Sequence, residues 1–274
     1  MTINCKGQLI DLSIPKVMGI LNVTPDSFYD GGKYKNEQDI LSQTEKMLNE
    51  GATFIDVGAY SSRPNAKHIS ETEELQRIEP IISLLIKEFP DILLSIDTFR
   101  SQIAKQSIDM GAAMINDISS GQLDEKMMPV VGKLNVPYII MHMKGTPQNM
   151  QQNVFYDDLI KEMTFFFSEK INEARSHKIN DLIIDPGFGF SKTLSQNYEL
   201  LDQLNFLKIT ELPILIGISR KSMIYKLLDS SPQEVLNGTT VLNTIALLKG
   251  VSILRVHDVK EAMECVKISS QLLN

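Results

Sequence analysis

The stretch VMGILNVTPDSFYDGG, residues Val17–Gly32, decides the fold of this chain. Its apolar run ends at Asn22, and a polar loop follows that carries one aromatic residue, Phe28, and ends in two glycines. A buried strand leading into such a loop is how parallel α/β proteins present chemical groups at the carboxyl end of a strand. The stretch therefore predicts a parallel strand with functional residues directly after it.

The same pattern recurs seven times along the chain. Continuous rather than alternating hydrophobicity is typical of parallel strands that are covered on both faces. We predict eight such strands, at Lys16–Leu21, Thr53–Val57, Ile92–Ile96, Ala113–Asn116, Tyr138–His142, Leu182–Asp185, Ile214–Ile218 and Ser252–Val256.

Amphipathic segments with helical periodicity lie between these strands. Gly51 stands where the first helix would end in a left-handed residue, Ser70 opens a helix with capping-box spacing, and Asp258 is the expected cap of the last helix. The predicted helices are Glu37–Glu50, Ser70 to about Phe89, Asp157–His177, Val235–Lys249 and Asp258–Leu273.

Eight strand–helix units without a linker or compositional break predict one domain over residues 1–274. The predicted fold class is α/β, a single (β/α)₈ TIM barrel with its active site at the C-terminal ends of the strands. The first strand is followed by neither a Gly-x-Gly-x-x-Gly sequence nor a phosphate-loop lysine, which disfavours a Rossmann or P-loop fold.

Composition restricts the class of partner. The net charge is −7 and the sequence pI is about 5.2, with no dense run of Lys and Arg, so nucleic acid is not the expected partner. No stretch has the length or composition of a membrane span or a secretory signal. Cys5 and Cys265 stand near opposite ends of the chain and suggest a reducing compartment. We expect a soluble, cytoplasmic protein that acts on small molecules.

Polar residues follow the predicted strands at the end where a barrel carries its site. Each has a simpler explanation alone: Asp97 could cap the next helix, His142 could be a core histidine, and Arg63 or Arg220 could be exposed. Together they end apolar strands in one ring, where buried charges must pair with each other or with a ligand. The strand-end residues are Asn22, Ser62, Arg63, Asp97, Asn116, Met141, His142, Asp185, Lys221, Ser222, Arg255 and His257.

Three kinds of side chain predict three subsites. The carboxylates of Asp97 and Asp185 and the amide of Asn116 suit a planar heterocycle rich in N–H donors, with Lys221 near its carbonyl or ring nitrogen. A second group combines Arg, His, Ser and Asn donors and suits a phosphate or diphosphate. A third group of loop residues, aromatic or proline, suits a flat aromatic partner or simple loop anchoring. The second group is Asn22, Ser62, Arg63, Arg255 and His257, and the third is Phe28, Pro64, Phe188 and Phe190.

These residues and their order resemble the dihydropteroate synthase family. MGILNVTPDSFYDGG matches that family's opening signature at nearly every specified position, and GATFIDVGAYSSRP matches a second signature less fully. Further matches cover almost the whole chain. They are SIDT (Ser95–Thr98), INDI (Ile115–Ile118), DPGFGFSK (Asp185–Lys192), GISRKSM (Gly217–Met223) and RVHDV (Arg255–Val259).

The resemblance implies a folate-pathway transferase. Such an enzyme condenses 6-hydroxymethyl-7,8-dihydropterin diphosphate with 4-aminobenzoate and releases diphosphate and 7,8-dihydropteroate. It also implies that the catalytic residues are Asp97, Asp185, Lys221 and Arg63, and that Asn116 and Met141 complete the pterin site. Asn22 would help to hold Mg²⁺. The implied diphosphate residues are Asn22, Ser62, Arg63, Arg255 and His257, and the implied 4-aminobenzoate residues are Phe28, Pro64, Phe190, Lys221 and Ser222.

No pair of nucleophile and base is evident, which agrees with a dissociative, SN1-like substitution on a cationic pterin methylene. The aminobenzoate carboxylate would lie near the helix that starts at Lys221–Ser222. The resemblance further suggests a homodimer, through the last helices.

The second signature departs from the family at four positions. The family usually has Gly, Glu, Thr and Gly where this chain has Ala59, Tyr60, Ser62 and Asn65. Tyr60 is the change that could alter how this loop is anchored. Three alternatives remain open: a methyltetrahydrofolate-dependent methyltransferase with the same pterin pocket, a Schiff-base aldolase that uses Lys221, and an inactive barrel that serves as a binding subunit.

Overall fold

Ten strands form the two sheets of this computed structural model, which describes residues 1–23, 37–61 and 68–272. An amino-terminal hairpin contains β1 (Thr2–Cys5) and β2 (Gln8–Asp11). The remaining eight strands are parallel. They are β3 (Lys16–Asn22), β4 (Phe54–Gly58), β5 (Leu94–Asp97), β6 (Met114–Asp117), β7 (Tyr138–Met141), β8 (Leu182–Asp185), β9 (Leu215–Ile216) and β10 (Ile253–Val256).

The eight parallel strands close into a barrel. Their order is β8-β7-β6-β5-β4-β3-β10-β9, and a parallel bridge between Ile184 and Ile214 brings the β9 end of the sheet back to β8. The Ile184 amide also donates to the Pro213 carbonyl at 3.0 Å. The predicted (β/α)₈ barrel is confirmed, although β9 is shorter than the predicted Ile214–Ile218.

Helices surround the barrel. Their bounds are α1 (Glu37–Asn49), α2 (Glu71–Glu88), α3 (Ser101–Asp109), α4 (Met127–Leu134), α5 (Leu159–Ser176), α6 (Leu194–Asp202), α7 (Ser222–Tyr225), α8 (Leu236–Leu248) and α9 (Val259–Ser270), with 3₁₀ turns at Met150–Gln152 and Leu204–Thr210. Because one face of each long helix is apolar, most of the core lies between the helices and the outer side of the sheet.

Local signals set several helix ends as the sequence predicts. The Ser70 hydroxyl accepts from the Glu73 amide at 3.1 Å and caps α2, and Gly51 adopts φ +105° just after α1. Asp258 is the N-cap residue of α9, as expected, but its carboxylate does not bond the first turn, because both oxygens bind the Arg220 guanidinium.

The amino-terminal hairpin covers the end of the barrel at which the parallel strands begin. Ile3, Cys5, Ile10 and Leu12 are buried in one cluster with side chains from inside the barrel, such as Phe54. The Asn4 amide also donates to the Asp181 carboxylate at 3.2 Å. The hairpin leaves the opposite end of the barrel, where the strands finish, as the open end. Within the described part of the chain, no helix is long and apolar enough to cross a membrane.

Candidate active site

Neighbouring strands place their last or next-to-last residues at one level. Asn22 of β3 pairs with Gly58 of β4, Gly58 with Asp97 of β5, and Asp97 with Asn116 of β6. On the next pair of strands, Met141 of β7 is the partner of Asp185 of β8. Strand-end residues that are far apart in the sequence therefore form one ring at the open end of the barrel.

The lack of a side chain at Gly58 leaves space for the Asp97 side chain in this ring. A β-carbon at Gly58 would stand 3.3 Å from the Asp97 β-carbon, closer than ordinary van der Waals contact. The absence of a side chain at this strand end therefore lets the carboxylate of the neighbouring strand occupy the mouth of the barrel.

Arg255 of β10 joins two carboxylates across the ring. Its Nη2 lies 2.8 Å from Asp97 Oδ2 and 2.6 Å from Asp56 Oδ2, and its Nε donates to the same Asp56 oxygen at 2.6 Å. Burial raises the pKa of Asp97 to about 7, and the Arg255 guanidinium acts in the opposite direction. The two carboxylates raise the pKa of Arg255, which keeps its positive charge.

Asp56 is a site residue that the sequence analysis missed. It is fully buried inside β4 and accepts from Ser95 Oγ at 2.6 Å and, at longer distance, from the Asn116 amide at 3.3 Å. It therefore orients both Arg255 and Asn116. A charged residue within the apolar run FIDVG was the available signal, because a buried charge in a strand needs a partner.

Asp185 ends β8 with one oxygen already bonded. Its Oδ1 accepts from the Gly187 amide at 2.7 Å, within the tight Asp-Pro-Gly turn. Burial raises the pKa of this carboxyl, while the Lys221 charge lowers it. Asp185 is thus a second buried carboxyl at the open end of the barrel, as the sequence predicts.

Lys221 lies just before the one-turn helix α7. Its ammonium donates to the Phe188 carbonyl and stands 4.6 Å from the centre of the Phe190 ring. Burial lowers the pKa of Lys221 to about 8, and the Asp185 charge opposes that shift. Because α7 contains only Ser222–Tyr225, its dipole is short, and the expected anion site at this helix start depends on the side chains instead.

Arg220 holds the segment that carries Lys221. Its guanidinium forms a two-point ion pair with Asp258, with Nε 2.9 Å from Oδ2 and Nη2 2.5 Å from Oδ1. The Arg220 backbone has φ +57°, a conformation that a residue with a side chain adopts only at a cost. The ion pair therefore fixes a strained corner between β9 and α7, and Arg220 is not a solvated side chain.

A cavity of about 840 Å³ opens at this end of the barrel. Seven of the predicted site residues line it, namely Asn22, Asp97, Phe190, Lys221, Ser222, Arg255 and His257. The His257 Nδ1 lies 3.0 Å from Ser219 Oγ, and Ser219 also lines the cavity. Side chains that were predicted to form the heterocycle and anion subsites therefore share one space.

Five predicted residues are buried and do not line the cavity, namely Asn116, Met141, His142, Asp185 and Phe188. Met141 is buried in a small apolar cluster that includes Met150 and Phe190. Phe188 is wrong as part of an aromatic subsite, because it is fully buried in the main core and only its carbonyl reaches Lys221. His142 is a core histidine: burial lowers its pKa, and its Nδ1 lies 3.1 Å from Lys192 Nζ.

Four predicted site residues, Phe28, Ser62, Arg63 and Pro64, lie outside the described residues. Among the described residues, no group of three or more His, Cys, Asp or Glu side chains could hold a metal ion. The Asn22 amide oxygen is a hard donor of the kind that Mg²⁺ accepts, and Mg²⁺ commonly uses one or two protein ligands together with substrate phosphates. Asn22 is thus one oxygen donor at the cavity that is compatible with a magnesium ion whose other ligands come from substrate phosphates.

The class of the protein follows from this ring and from a family model. The model described as "Pterin binding enzyme" matches residues 18–257. Together with the barrel and its buried carboxylates, this match defines a pterin-binding enzyme.

Relatives narrow the class. The dihydropteroate synthase of Escherichia coli is 42% identical over 277 residues, which cover 100% of this chain and 97% of that protein. The dihydropteroate synthase of Yersinia pestis, solved as a sulfonamide drug complex, has a TM-score of 0.94 and 44% identity, covering 100% of this chain and 99% of that one. That of Thermus thermophilus, solved in complex with 4-aminobenzoate, has a TM-score of 0.89 and 30% identity, covering 99% and 100%. The chain belongs to the dihydropteroate synthase family and is a transferase of folate synthesis.

The family membership confirms the resemblance seen in the sequence. It favours the synthase over the methyltransferase, the aldolase and the inactive barrel that the residues alone left open.

Proposed function

We propose that this chain joins the pterin methylene of 6-hydroxymethyl-7,8-dihydropterin diphosphate to the amine of 4-aminobenzoate. The C–O bond to diphosphate breaks, a C–N bond forms, diphosphate leaves, and the arylamine loses a proton. The observation that carries this proposal is that Asp97, Lys221 and Arg255 line one cavity, with the buried side chains of Asn116 and Asp185 on neighbouring strand ends.

The pterin subsite is the deepest part of this ring. Asp97, Asn116 and Asp185 offer oxygens to the pterin N–H groups, and Lys221 donates to an acceptor on the ring. Met141 supplies an apolar surface beside them. The support for this subsite is position: Asp97, Met141 and Asp185 end β5, β7 and β8, Asn116 is the next-to-last residue of β6, and Lys221 follows β9.

The diphosphate subsite lies nearer β3 and β10. Asn22, Arg255 and His257 line the cavity, and we assign Ser62 and Arg63 to the same subsite from the family motif. Arg255 is bound to Asp56 and Asp97 by its guanidinium. To contact both the diphosphate and Asp56, it would exchange Asp97 for a phosphate oxygen, which frees the Asp97 carboxylate for the pterin.

The 4-aminobenzoate subsite lies on the side of Phe190, Lys221 and Ser222, all of which line the cavity. Phe28 and Pro64 complete it by the family motif. The ring of Phe190 suits the benzene ring, and the Ser222 hydroxyl with the Lys221 ammonium suits the carboxylate. We infer that sulfonamides compete for this subsite, since a relative from Yersinia pestis was solved as a sulfonamide drug complex.

A dissociative substitution suits these groups. Carboxylates around the pterin stabilise positive charge on the methylene as the C–O bond breaks, and Arg side chains stabilise the departing diphosphate. Asp97 is the group we expect to contribute most, because its negative charge lies in a buried site. Lys221 and Asp185 hold the pterin in place, and Arg63 assists departure of the diphosphate.

Mg²⁺ is the cofactor we propose, held by Asn22 together with the diphosphate. When bound there, it neutralises charge on the leaving group. Asn22 is suited to this role because it ends β3, lines the cavity and carries an amide oxygen.

We also propose a homodimer of chains that each act as one domain. Val241, Ile245 and Leu248 fall on one stripe of α8 and are exposed, as are Ile268 in the last turn of α9 and Leu272 just after that helix. The two helices pack against each other, so these side chains suit a shared apolar interface. Cys5 and Cys265 are buried free thiols, which supports a cytoplasmic location.

The deciding experiment combines purified protein, the dihydropterin diphosphate, 4-aminobenzoate and Mg²⁺. Diphosphate and 7,8-dihydropteroate are measured together, and equal amounts of both are expected. Release of diphosphate without dihydropteroate would mean hydrolysis and would reject the transfer. A protein that binds 7,8-dihydropterin but forms no product would retain the pterin pocket and lose the proposed reaction.

A further inference from the structure

Tyr60 joins three loops at the open end of the barrel. It stands two residues after β4 and is buried, while its edge lines the cavity. The Gln148 side-chain amide donates to the Tyr60 hydroxyl at 2.9 Å, and that hydroxyl lies 3.2 Å from His68 Nδ1. Since the hydroxyl accepts from Gln148, its own hydrogen is available for His68.

The ring of Tyr60 is fixed from the β5 side. It packs edge-on against Phe99, with ring centres 5.0 Å apart, and the Arg100 guanidinium lies 5.5 Å from its centre. Arg100 is in turn held by Glu74 and by the Ile69 carbonyl, to which it donates at 2.6 Å. A tyrosine set in such a cluster can hold the more exposed His68 and Gln148 in place.

The chain segment that follows Gln148 forms part of the cavity wall around Phe190. Met150 and Gln151, just beyond Gln148 in the chain, both line the cavity. Met150 belongs to the apolar cluster against which Phe190 packs, and Gln151 donates to the Gly189 carbonyl at 3.2 Å. The Tyr60 hydroxyl is thus linked through one loop to the wall that we assign to 4-aminobenzoate.

We propose that Tyr60 is a positioning residue for the 4-aminobenzoate subsite, acting through its hydroxyl on Gln148 and His68. Tyr60 touches neither reacting atom. The proposal rests on the proposed placement of that subsite at Phe190. It assigns to Tyr60 a specificity-determining role that differs from the pterin recognition by the strand-end carboxyls.

Tyr60→Phe tests the proposal, because it removes the hydroxyl and keeps the ring on Phe99 and Arg100. We expect the KM for 4-aminobenzoate to rise about 3- to 10-fold, the size of one or two net hydrogen bonds. The kcat and the Kd for 7,8-dihydropterin, measured by direct titration, should stay within about twofold. Tyr156→Phe is the matched control, since it removes a hydroxyl that donates to the Ser191 carbonyl at 2.9 Å without lining the cavity.

Gln148→Ala and the double variant Tyr60→Phe/Gln148→Ala test whether the Tyr60 hydroxyl acts through Gln148. If the hydroxyl acts through Gln148, the double variant should be little worse than Tyr60→Phe alone. Fully additive losses would overturn the proposal, as would an unchanged 4-aminobenzoate KM in Tyr60→Phe. A fall in Tm with equal losses in every kinetic constant would show a merely structural role and would also overturn it.

Direct titration of 4-aminobenzoate in the presence of Mg²⁺ and diphosphate separates this proposal from the proposed reaction. If the wild-type protein forms no dihydropteroate, the reaction fails. The effect of Tyr60→Phe on 4-aminobenzoate affinity is then measured by titration, where a 3- to 10-fold loss supports the positioning role and an unchanged affinity rejects it.

Discussion

Asp97 and Arg255 form an ion pair at the open end of the barrel, with 2.8 Å between Oδ2 and Nη2. One is the expected centre of pterin recognition and the other an expected diphosphate contact. Arg255 therefore occupies the carboxylate that would bind the pterin, and Asp97 occupies the guanidinium that would bind the diphosphate. Substrate binding must compete with this ion pair for both groups. Asp56 holds the second side of the guanidinium and keeps it at the site when Asp97 is released.

Asp97→Asn should lower kcat by about 100-fold or more, because the amide no longer supplies negative charge near the developing cation. Rapid-quench measurement of the transfer step checks this. Asp109→Asn is a matched control, since Asp109 is an exposed carboxylate on α3 that pairs only with Lys105 among the contacts described. A near wild-type rate with unchanged pterin affinity in Asp97→Asn would contradict the assigned role.

The pH dependence of kcat/KM for the pterin substrate should be a narrow bell. Burial raises the pKa of Asp97 to about 7, so activity should fall as the pH drops through 7 and the carboxylate becomes protonated. Burial lowers the pKa of Lys221 to about 8, so activity should fall again as the pH rises above 8 and the ammonium is lost. Lys221→Arg should move the alkaline limb of the profile to higher pH, because a guanidinium keeps its proton there. An alkaline limb that stays in place would assign it to another group.

Asp56→Asn should destabilise the fold by about 1–3 kcal/mol, because the buried Arg255 loses one of its two carboxylates. Urea unfolding measures this change. Ser95→Ala removes a single hydroxyl donor to Asp56 and should cost about 1 kcal/mol or less. We expect Asp56→Asn also to raise the KM for the pterin substrate, since Asn116 loses its partner. Equal stability of both variants and the wild type would show that Asp56 does not support this network.

Sequence patterns predicted the eight strands, most helices and the ring of strand-end residues. This succeeded because the apolar runs and their polar ends are local features. Asp56 was missed because its partner Arg255 lies 199 residues away, and no local pattern connects them. Asp258 stands at the start of α9 as predicted, but its ion pair with Arg220, 38 residues away, was missed for the same reason. The hairpin of β1 and β2 was missed because its strands are partly exposed and lack the continuous apolar run that marked the barrel strands.

Substitutions at Arg220 can separate the effect of its strained backbone from the effect of its ion pair with Asp258. Arg220→Ala should raise the KM for 4-aminobenzoate, since Lys221 and Ser222 lose their anchor to Asp258. Arg220→Gly loses the same ion pair but adopts φ +57° without penalty, so it should be more stable than Arg220→Ala by about 1 kcal/mol. Thermal unfolding of both variants checks this order. The reverse order would mean that the backbone changes when the ion pair is lost.

Magnesium removal should abolish dihydropteroate formation while leaving 7,8-dihydropterin binding unchanged. Calorimetric titration of diphosphate with and without Mg²⁺ provides a readout besides activity. Asn22→Ala should weaken the Mg²⁺-dependent part of that binding by about tenfold, the loss expected for one metal-bound oxygen donor. If diphosphate binds equally well with EDTA, Asn22 does not act through a metal.

The amino-terminal hairpin has a consequence for synthesis on the ribosome. Ile3 and Ile10 are synthesised long before Ile183 and Ile253, with which they share one cluster. Their apolar face therefore has no complete partner until almost the entire polypeptide has been translated. A nascent chain of this kind should depend on a holding chaperone for most of its elongation time, and arresting translation before β10 should leave the hairpin open to protease.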